Sequence, residues 1–258
     1  MTGHVTLVGG GPGREDLLTL AAVRALEAAD VVLYDRLAPH EGLGRLAPTA
    51  ELIDVGKRPG HHAIPQHEIE ELLVEHALAG RHVVRLKGGD PYVLGRGGEE
   101  VLACHRAGIA VEVIPGVTSA VAVPGTAGIP LTHRGISHLF TVVSGHAPLT
   151  DDELTHLAGL GGTIVVLMGV NSLPSLTAGL ARHGMRVDMP VAIVERGFQP
   201  GRRTTIGSLA DIVFAAGRAQ VTSPAIIVIG EVVRLAHDGD AEASELMRRA
   251  TAFTAVST

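Results

Sequence analysis

The chain has 258 residues, 46% hydrophobic and 19% charged, which is too apolar for a disordered chain and lacks the long apolar run of a membrane span. Its 21 Lys and Arg against 27 Asp and Glu leave a formal net charge of −6, where a nucleic-acid protein needs a basic stripe. Aromatic residues, 2% of the chain with no Trp, furnish no stacking platform for single strands. The single Cys104 rules out an internal disulfide and fits a cytosolic setting. No basic region precedes a signal-type apolar stretch, so no export is expected.

Short apolar runs ending in glycine set the predicted elements. Residues 5–8 read as a buried strand, Gly9-Gly10-Gly11-Pro12-Gly13 as a loop and 16–29 as a helix with Leu17, Leu20, Ala21 and Ala28 on its apolar side. Strands are expected over 31–34, 51–55, 82–86, 111–114, 140–143, 164–167, 192–195 and 225–229. Helices are expected over 66–79, 98–107, 151–157, 174–183 and 208–215. Strands alternating with helices predict an α/β protein with a largely parallel sheet, or two sheets. The segment 115–133, rich in Pro, Gly and small residues, marks a domain junction at its end. This gives an N-terminal α/β domain over 1–132, a C-terminal α/β domain over 133–240 and a tail over 241–258 read as a surface helix or loose end.

The loop after the first strand lies where a ligand approaches backbone closely. As a dinucleotide fingerprint it fails at the third glycine, since position 14 is Arg14 and Pro12 interrupts it. Asp35 nonetheless stands about where a ribose-binding acid belongs, so a nicotinamide enzyme competes at this point. Leu33-Tyr34-Asp35-Arg36 places an acid and a base at a strand end, read equally well as a ligand edge or a solvated ion pair. The stretch 86–100 is the most informative: five glycines in eleven residues alternate with Lys87, Asp90 and Arg96, without P-loop spacing. Pro115-Gly116-Val117-Thr118-Ser119, the run 128–134 with His133 and Arg134, Ser144-Gly145-His146 and Met168-Gly169 end further apolar runs, and each taken singly reads as a turn. The 14 His residues, among them His61, His62, His67, His133 and His138, have no metal-ligand spacing, and one Cys completes no zinc set, so no metal is expected. Cys104-His105 in mid-helix reads as structural.

In this order the motifs resemble those of the uroporphyrinogen-III C-methyltransferases within the tetrapyrrole methylase family, over about residues 4–235. The likeness rests on Val8-Gly9-Gly10-Gly11-Pro12-Gly13, Leu33-Tyr34-Asp35-Arg36-Leu37, Val55-Gly56-Lys57-Arg58, 85–100, 115–120, 128–134, Ser144-Gly145-His146, Met168-Gly169 and Pro224-Ala225. Gly10, Tyr92-Val93-Leu94 and Arg196 depart from the usual pattern. The resemblance implies two α/β domains with S-adenosylmethionine in the cleft between them, in a homodimer. By position, Pro12, Gly88, Gly89, Asp90, Val93, Thr118, Ser119, Met168, Gly197 and Ala225 look like cofactor contacts, and Asp35 and Lys57 like the family's acid–base pair. The expected reaction methylates uroporphyrinogen III at C2 and C7, giving precorrin-2 and S-adenosylhomocysteine.

A substrate with eight carboxylates needs cations, and the matched motifs offer Arg36, Arg58, Lys87, Arg96, His133, Arg134 and His146 beside Lys57 and Arg85. Three competing readings stand: a nicotinamide oxidoreductase, which leaves Gly88–Gly98 unexplained; a non-catalytic tetrapyrrole carrier, which needs no adenosylmethionine loops; and a sibling methylase acting on a later corrin intermediate.

Overall fold

The first five strands all run the same way. In the computed structural model, which describes residues 2–56 and 64–237, strands β1 (His4–Gly9), β2 (Val31–Tyr34), β3 (Glu51–Asp54), β4 (His82–Lys87) and β5 (Ala110–Ile114) form one parallel sheet in the order β3-β2-β4-β1-β5. The central strands are nearly continuous apolar runs because both faces of a parallel sheet are covered. Helices α1 (Leu20–Glu27) and α2 (Leu43–Leu46) cover one face, packing on Val8, Val32, Val84, Leu86 and Ile114. Helices α3 (Gln66–Leu78) and α4 (Gly97–Arg106) cover the other, packing on Val5, Leu7, Val31, Leu33 and Val83. Cys104 of α4 is buried in this second layer, and burial, with the nearby charges of Glu100 and Glu70, pushes its thiol up to about 11.

The second sheet is mixed. Strands β6 (Phe140–Ser144), β7 (Thr163–Leu167), β8 (Pro190–Glu195), β9 (Arg203–Ser208) and β10 (Ala225–Ile229) take the order β6-β7-β10-β8-β9. Only β6 and β7 are parallel; the other three pairings are antiparallel. Helices α6 (Asp151–Leu160), α7 (Leu173–Arg182) and α8 (Ile212–Arg218) pack on one face through Leu154, Leu176, Leu180 and Ile212. The start of α6 is fixed by a capping box between Thr150 and Glu153, which satisfies two of its orphan N–H groups. The other face is covered by α5 (Ser119–Thr126), the residues after it and the 3-10 turn Glu231–Leu235.

The chain divides into two compact units at Ser119/Ala120. That is thirteen residues earlier than the junction drawn at 132/133 from the sequence. Proline and glycine in 115–133 pointed to a junction at the segment's end, yet Ala120, Val123, Ala127, Ile129 and Leu131 are all buried on the second sheet, so this part of the segment belongs to that core. Other differences have local causes. The helix expected over 16–29 is broken: a 3-10 turn (Glu15–Leu17) comes first, and α1 begins after Thr19, whose hydroxyl accepts from the Ala22 N–H. The helix expected from 208 is displaced, because Ser208 ends edge strand β9 and α8 begins at Ile212. Of the two arrangements expected, a largely parallel sheet or two sheets, the described residues form two sheets, of which the first is parallel and the second mixed. Lys57, Arg58, His61, His62 and the tail over 241–258 lie outside the described residues. Among the described residues no helix is long and apolar enough to cross a membrane.

Candidate functional site

Parallel pairing brings the C-terminal ends of β1, β2, β4 and β5 to one edge of the first sheet, the edge where open α/β sheets bind ligands. Its centre is backbone against backbone. Gly10 N–H donates to the Lys87 carbonyl (2.7 Å), Gly11 N–H to the Gly89 carbonyl (3.1 Å) and Gly89 N–H back to the Gly11 carbonyl (2.7 Å). A Cβ on Gly9 would lie 2.4 Å from the Gly116 nitrogen, and one on Gly116 would lie 2.3 Å from the Gly89 oxygen. Three loops therefore touch where only glycine fits. Gly89 differs: its φ of +69° is left-handed, but a Cβ there would meet nothing nearer than the Ser119 nitrogen at 3.7 Å and the Thr118 Cα at 3.9 Å. The backbone of Thr118 and Ser119 thus lies at ordinary contact distance from this side of Gly89.

Asp90 ties two of these loops together. Its Oδ1 accepts from the Tyr92 N–H (2.8 Å) and its Oδ2 from the Gly116 N–H (3.0 Å). The run from Asp90 to Gly97 then folds on itself, with Val93 N–H to the Asp90 carbonyl (3.3 Å) and Gly97 N–H to the Pro91 carbonyl (3.0 Å). Leu94 and Arg96 both hold left-handed backbone, φ 55° and 60°, an uncommon state for side-chain-bearing residues that clusters at functional loops. Gly88 is half-buried against Leu37, Val93 is half-buried and Pro12 is buried.

The charged groups divide into exposed pairs and a buried cluster. Arg36 donates through Nε (3.1 Å) and Nη2 (3.0 Å) to Asp54, and Arg96 donates to Glu99 (2.9 and 2.6 Å). Both guanidinium groups keep substantial exposure at the sheet's ligand edge. Lys87, read from the sequence as a substrate cation, is turned away instead. Strand alternation puts Arg85 and Lys87 on the α3/α4 face, where both are buried, and Lys87 Nζ donates to Glu100 Oε1 (2.8 Å). Burial, then the like charge of Arg85, holds the Lys87 ammonium below the ordinary lysine range, against the pull of Glu100. Arg85 Nε also meets Glu100 Oε1 (3.1 Å), and its Nη2 donates to Asp35 Oδ1 (2.7 Å). Burial on its own depresses Arg85, but the carboxylates of Asp35 and Glu100 outweigh it and hold the guanidinium above its usual range. Asp35 keeps about 30% side-chain exposure and is the one acid of this cluster that reaches the surface.

In the second unit, strand pairing gathers another set. Ile226 pairs with Leu167 and Ala225 with Glu195, so Met168, Ala225 and Gly197 fall at one edge of the sheet. Met168 has φ +58° and is 48% exposed, unlike a core methionine. A Cβ on Gly197 would lie 2.5 Å from Val123 Cγ1, so the turn after β8 packs directly on α5. Sequence reasoning missed the pair that holds this edge: buried Glu195 accepts from Arg203 Nε (2.6 Å) and Nη2 (2.7 Å) and from the Thr222 N–H (2.9 Å), while Arg196 N–H donates to the Pro224 carbonyl (2.9 Å). The only signal was one buried acid on an apolar strand, with its partner on an unread edge strand. Burial alone raises Glu195, but the hydrogen bonds from Arg203 and Thr222 bring it below the ordinary glutamate range. His133, Arg134 and His146 are exposed in this unit.

Comparison with known proteins follows the same elements. The family description Tetrapyrrole (Corrin/Porphyrin) Methylases matches residues 4–213. An S-adenosyl-L-methionine-dependent uroporphyrinogen III methyltransferase of Methanosarcina barkeri is 48% identical over 240 residues, 92% of this chain and 94% of the relative. A uroporphyrinogen-III C-methyltransferase of Methanocaldococcus jannaschii is 48% identical over 238 residues, 91% and 98% of the two chains. The uroporphyrin-III C-methyl transferase of Thermus thermophilus, solved with S-adenyl homocysteine, superposes with a TM-score of 0.76 at 46% identity, covering 90% of this chain and all of the other.

Two outcomes follow from these contacts. Gly116→Ala forces a backbone clash and should destabilise the first unit more than Gly89→Ala, whose left-handed strain costs about 1–2 kcal/mol; chemical denaturation ranks the two. Glu195 contributes stability that is present above the ordinary glutamate pKa of about 4.3 and lost as pH falls through its lower folded value. Glu195→Gln should therefore flatten the acid limb of the stability curve measured from pH 7 downward.

Proposed function

We infer from one premise, that this chain belongs to the tetrapyrrole methylase family, that it is an S-adenosylmethionine-dependent methyltransferase acting on uroporphyrinogen III. The reaction adds methyl groups at C2 and C7 and gives precorrin-2 and S-adenosylhomocysteine. The observation that carries this reading is the 48% identity to a uroporphyrinogen III methyltransferase across 92% of the chain. A nicotinamide enzyme is disfavoured by its loop: Gly11 is spent on paired hydrogen bonds with Gly89, and Arg14 stands at the third-glycine position.

The residues present suit the methyl donor. The backbone N–H and C=O groups around Gly89, Thr118 and Ser119, together with the Asp90 carboxylate, suit a ligand with ribose hydroxyls and an amino-acid end. By resemblance, its proposed contacts are Pro12, Gly88, Gly89, Asp90, Val93, Thr118, Ser119, Met168, Gly197 and Ala225. When bound, S-adenosylmethionine supplies an electrophilic methyl group on a sulfonium centre.

What the chain itself does is hold the macrocycle, keep water out and take a proton. Arg36 and Arg96 at the ligand edge, with Arg58, His133, Arg134 and His146, grip substrate carboxylates. Forked guanidinium groups suit that task better than point charges. Methylation of a ring carbon with that donor bound would leave the macrocycle a proton to lose. Asp35 takes that proton as a general base, since it is the acid of the cluster with exposed surface. Lys57 is assigned as its acid partner by resemblance. A homodimer in the cytoplasm is part of the same proposal.

Incubated without oxygen with S-adenosylmethionine and enzymatically generated uroporphyrinogen III, the protein should yield a product heavier by two methyl groups with a dipyrrocorphin-like absorption. Asp35→Asn should lower kcat by about 10²-fold or more and leave affinity for S-adenosylhomocysteine unchanged by calorimetry. Cofactor binding without methyl gain would point to another tetrapyrrole, and no binding at all would overturn the reading.

A further inference from the structure

The buried charge cluster behind Asp35 has no part in binding as described so far. Arg85, 2% exposed, uses every edge of its guanidinium: Nε meets Glu100 Oε1 (3.1 Å), Nη1 meets the carbonyls of Leu86 (3.2 Å) and Leu33 (3.4 Å), and Nη2 meets Asp35 Oδ1 (2.7 Å). Leu33 and Arg85 are register partners on β2 and β4, so the fork is fixed by the two strands it bridges. Glu100, fully buried, gathers Arg85, Lys87 and Gln66 (3.2 Å) on Oε1, while its Oε2 has no partner. Two cations thus face two acids, and the formal charge balances only when Asp35 is ionised. Such a cluster is weak evidence for stability, because desolvating ions offsets most of what their attraction returns. An orphaned buried carboxylate oxygen adds to its cost.

We propose that Arg85 is a positioning residue for the methyl-transfer reaction: anchored by Glu100 and the strand carbonyls, it holds Asp35 by Oδ1 and so presents Oδ2 to the macrocycle. This rests on the reading of Asp35 as the base. Among the described residues Asp35 Oδ2 has no protein partner, and Oδ1 is committed to Arg85. With one oxygen pinned by a rigid fork, the other is fixed in place before substrate arrives. Lys87 has a different part: it neutralises Glu100 so that the anchor of Arg85 is not a bare buried charge.

The test is a double-mutant cycle on the full-length protein with Arg85→Lys, Arg85→Met, Asp35→Asn and Arg85→Met/Asp35→Asn. Readouts are kcat and KM for anaerobically supplied uroporphyrinogen III and Kd for S-adenosylhomocysteine. A lysine keeps the positive charge but cannot hold Glu100, two carbonyls and Asp35 at once. Arg85→Lys should therefore lower kcat on the order of 10–100-fold, with Kd for S-adenosylhomocysteine within about twofold. In the Asp35→Asn background Arg85→Met should cost almost nothing further, because both changes disable the same carboxylate. Full kcat in Arg85→Lys assigns Arg85 to charge balance alone and overturns the proposal; so do losses that multiply across the cycle, or a matching loss of S-adenosylhomocysteine affinity. If Arg85→Met does not fold, the cycle is run with Arg85→Lys. Asp35→Asn with full kcat sinks the assignment of the base itself, an outcome separate from failure of Arg85 to act through it.

Discussion

At Gly9, Gly89 and Gly116 three backbones approach so closely that no side chain can stand between them. Everything at the ligand edge of the first unit is hung from that contact. It aligns the β1 loop with the β4 loop through paired hydrogen bonds and brings the β5 loop near enough for Asp90 to reach the Gly116 N–H. The physical cost is conformational, since glycine loses more freedom on folding than any other residue. The return is an edge whose lining is mostly peptide groups, which can hydrogen-bond a ligand with both donors and acceptors at fixed positions. A surface of flexible side chains cannot match that precision without ordering entropy at each binding event.

Behind this edge the first unit buries charge, and the second unit handles the same problem differently. Arg85, Lys87 and Glu100 lie in a fully covered layer, with Asp35 as their outlet to solvent. Glu195 of the second unit is as deeply buried, but its partner Arg203 comes from an edge strand and stays half exposed. The first arrangement fixes an acid from behind. The second pins a turn and the start of a strand, holding Gly197 and Ala225 in register. Similar residue types therefore have opposite uses, decided by which strand supplies the arginine.

How far the fold could be read follows from the same physics. The strands over 31–34 and 225–229 were legible to the residue, because central strands buried on both faces are unbroken apolar runs. Edge strand β9, Arg203–Ser208, was not, since Arg203 is exposed, the rest are only half-buried and the run carries no such apolar pattern. Helix α5 was hidden by Pro124 and Gly125, whose local preference is outweighed by burial of Ala120 and Val123. At the site, the glycine stretch and Asp35 stood out from composition and position. The burial of Lys87 was available from alternation with Val83 and Arg85, but only once β4 was known to carry helices on both faces. The Glu195–Arg203 pair needed tertiary structure, because nothing local connects β8 to β9's first residue.

Cys104 lies on the same helix as Glu100, one turn further on, with its sulfur sealed from solvent and its thiol pushed up to about 11. A thiol in that state is almost inert to alkylating reagents, which attack the thiolate. Modification must therefore wait until helix α4 lifts from the sheet. Because it is the single cysteine of the chain, the labelling rate is an intrinsic clock for that opening. The clock reports how often the anchor beneath Asp35 comes undone, in a protein that carries no added probe.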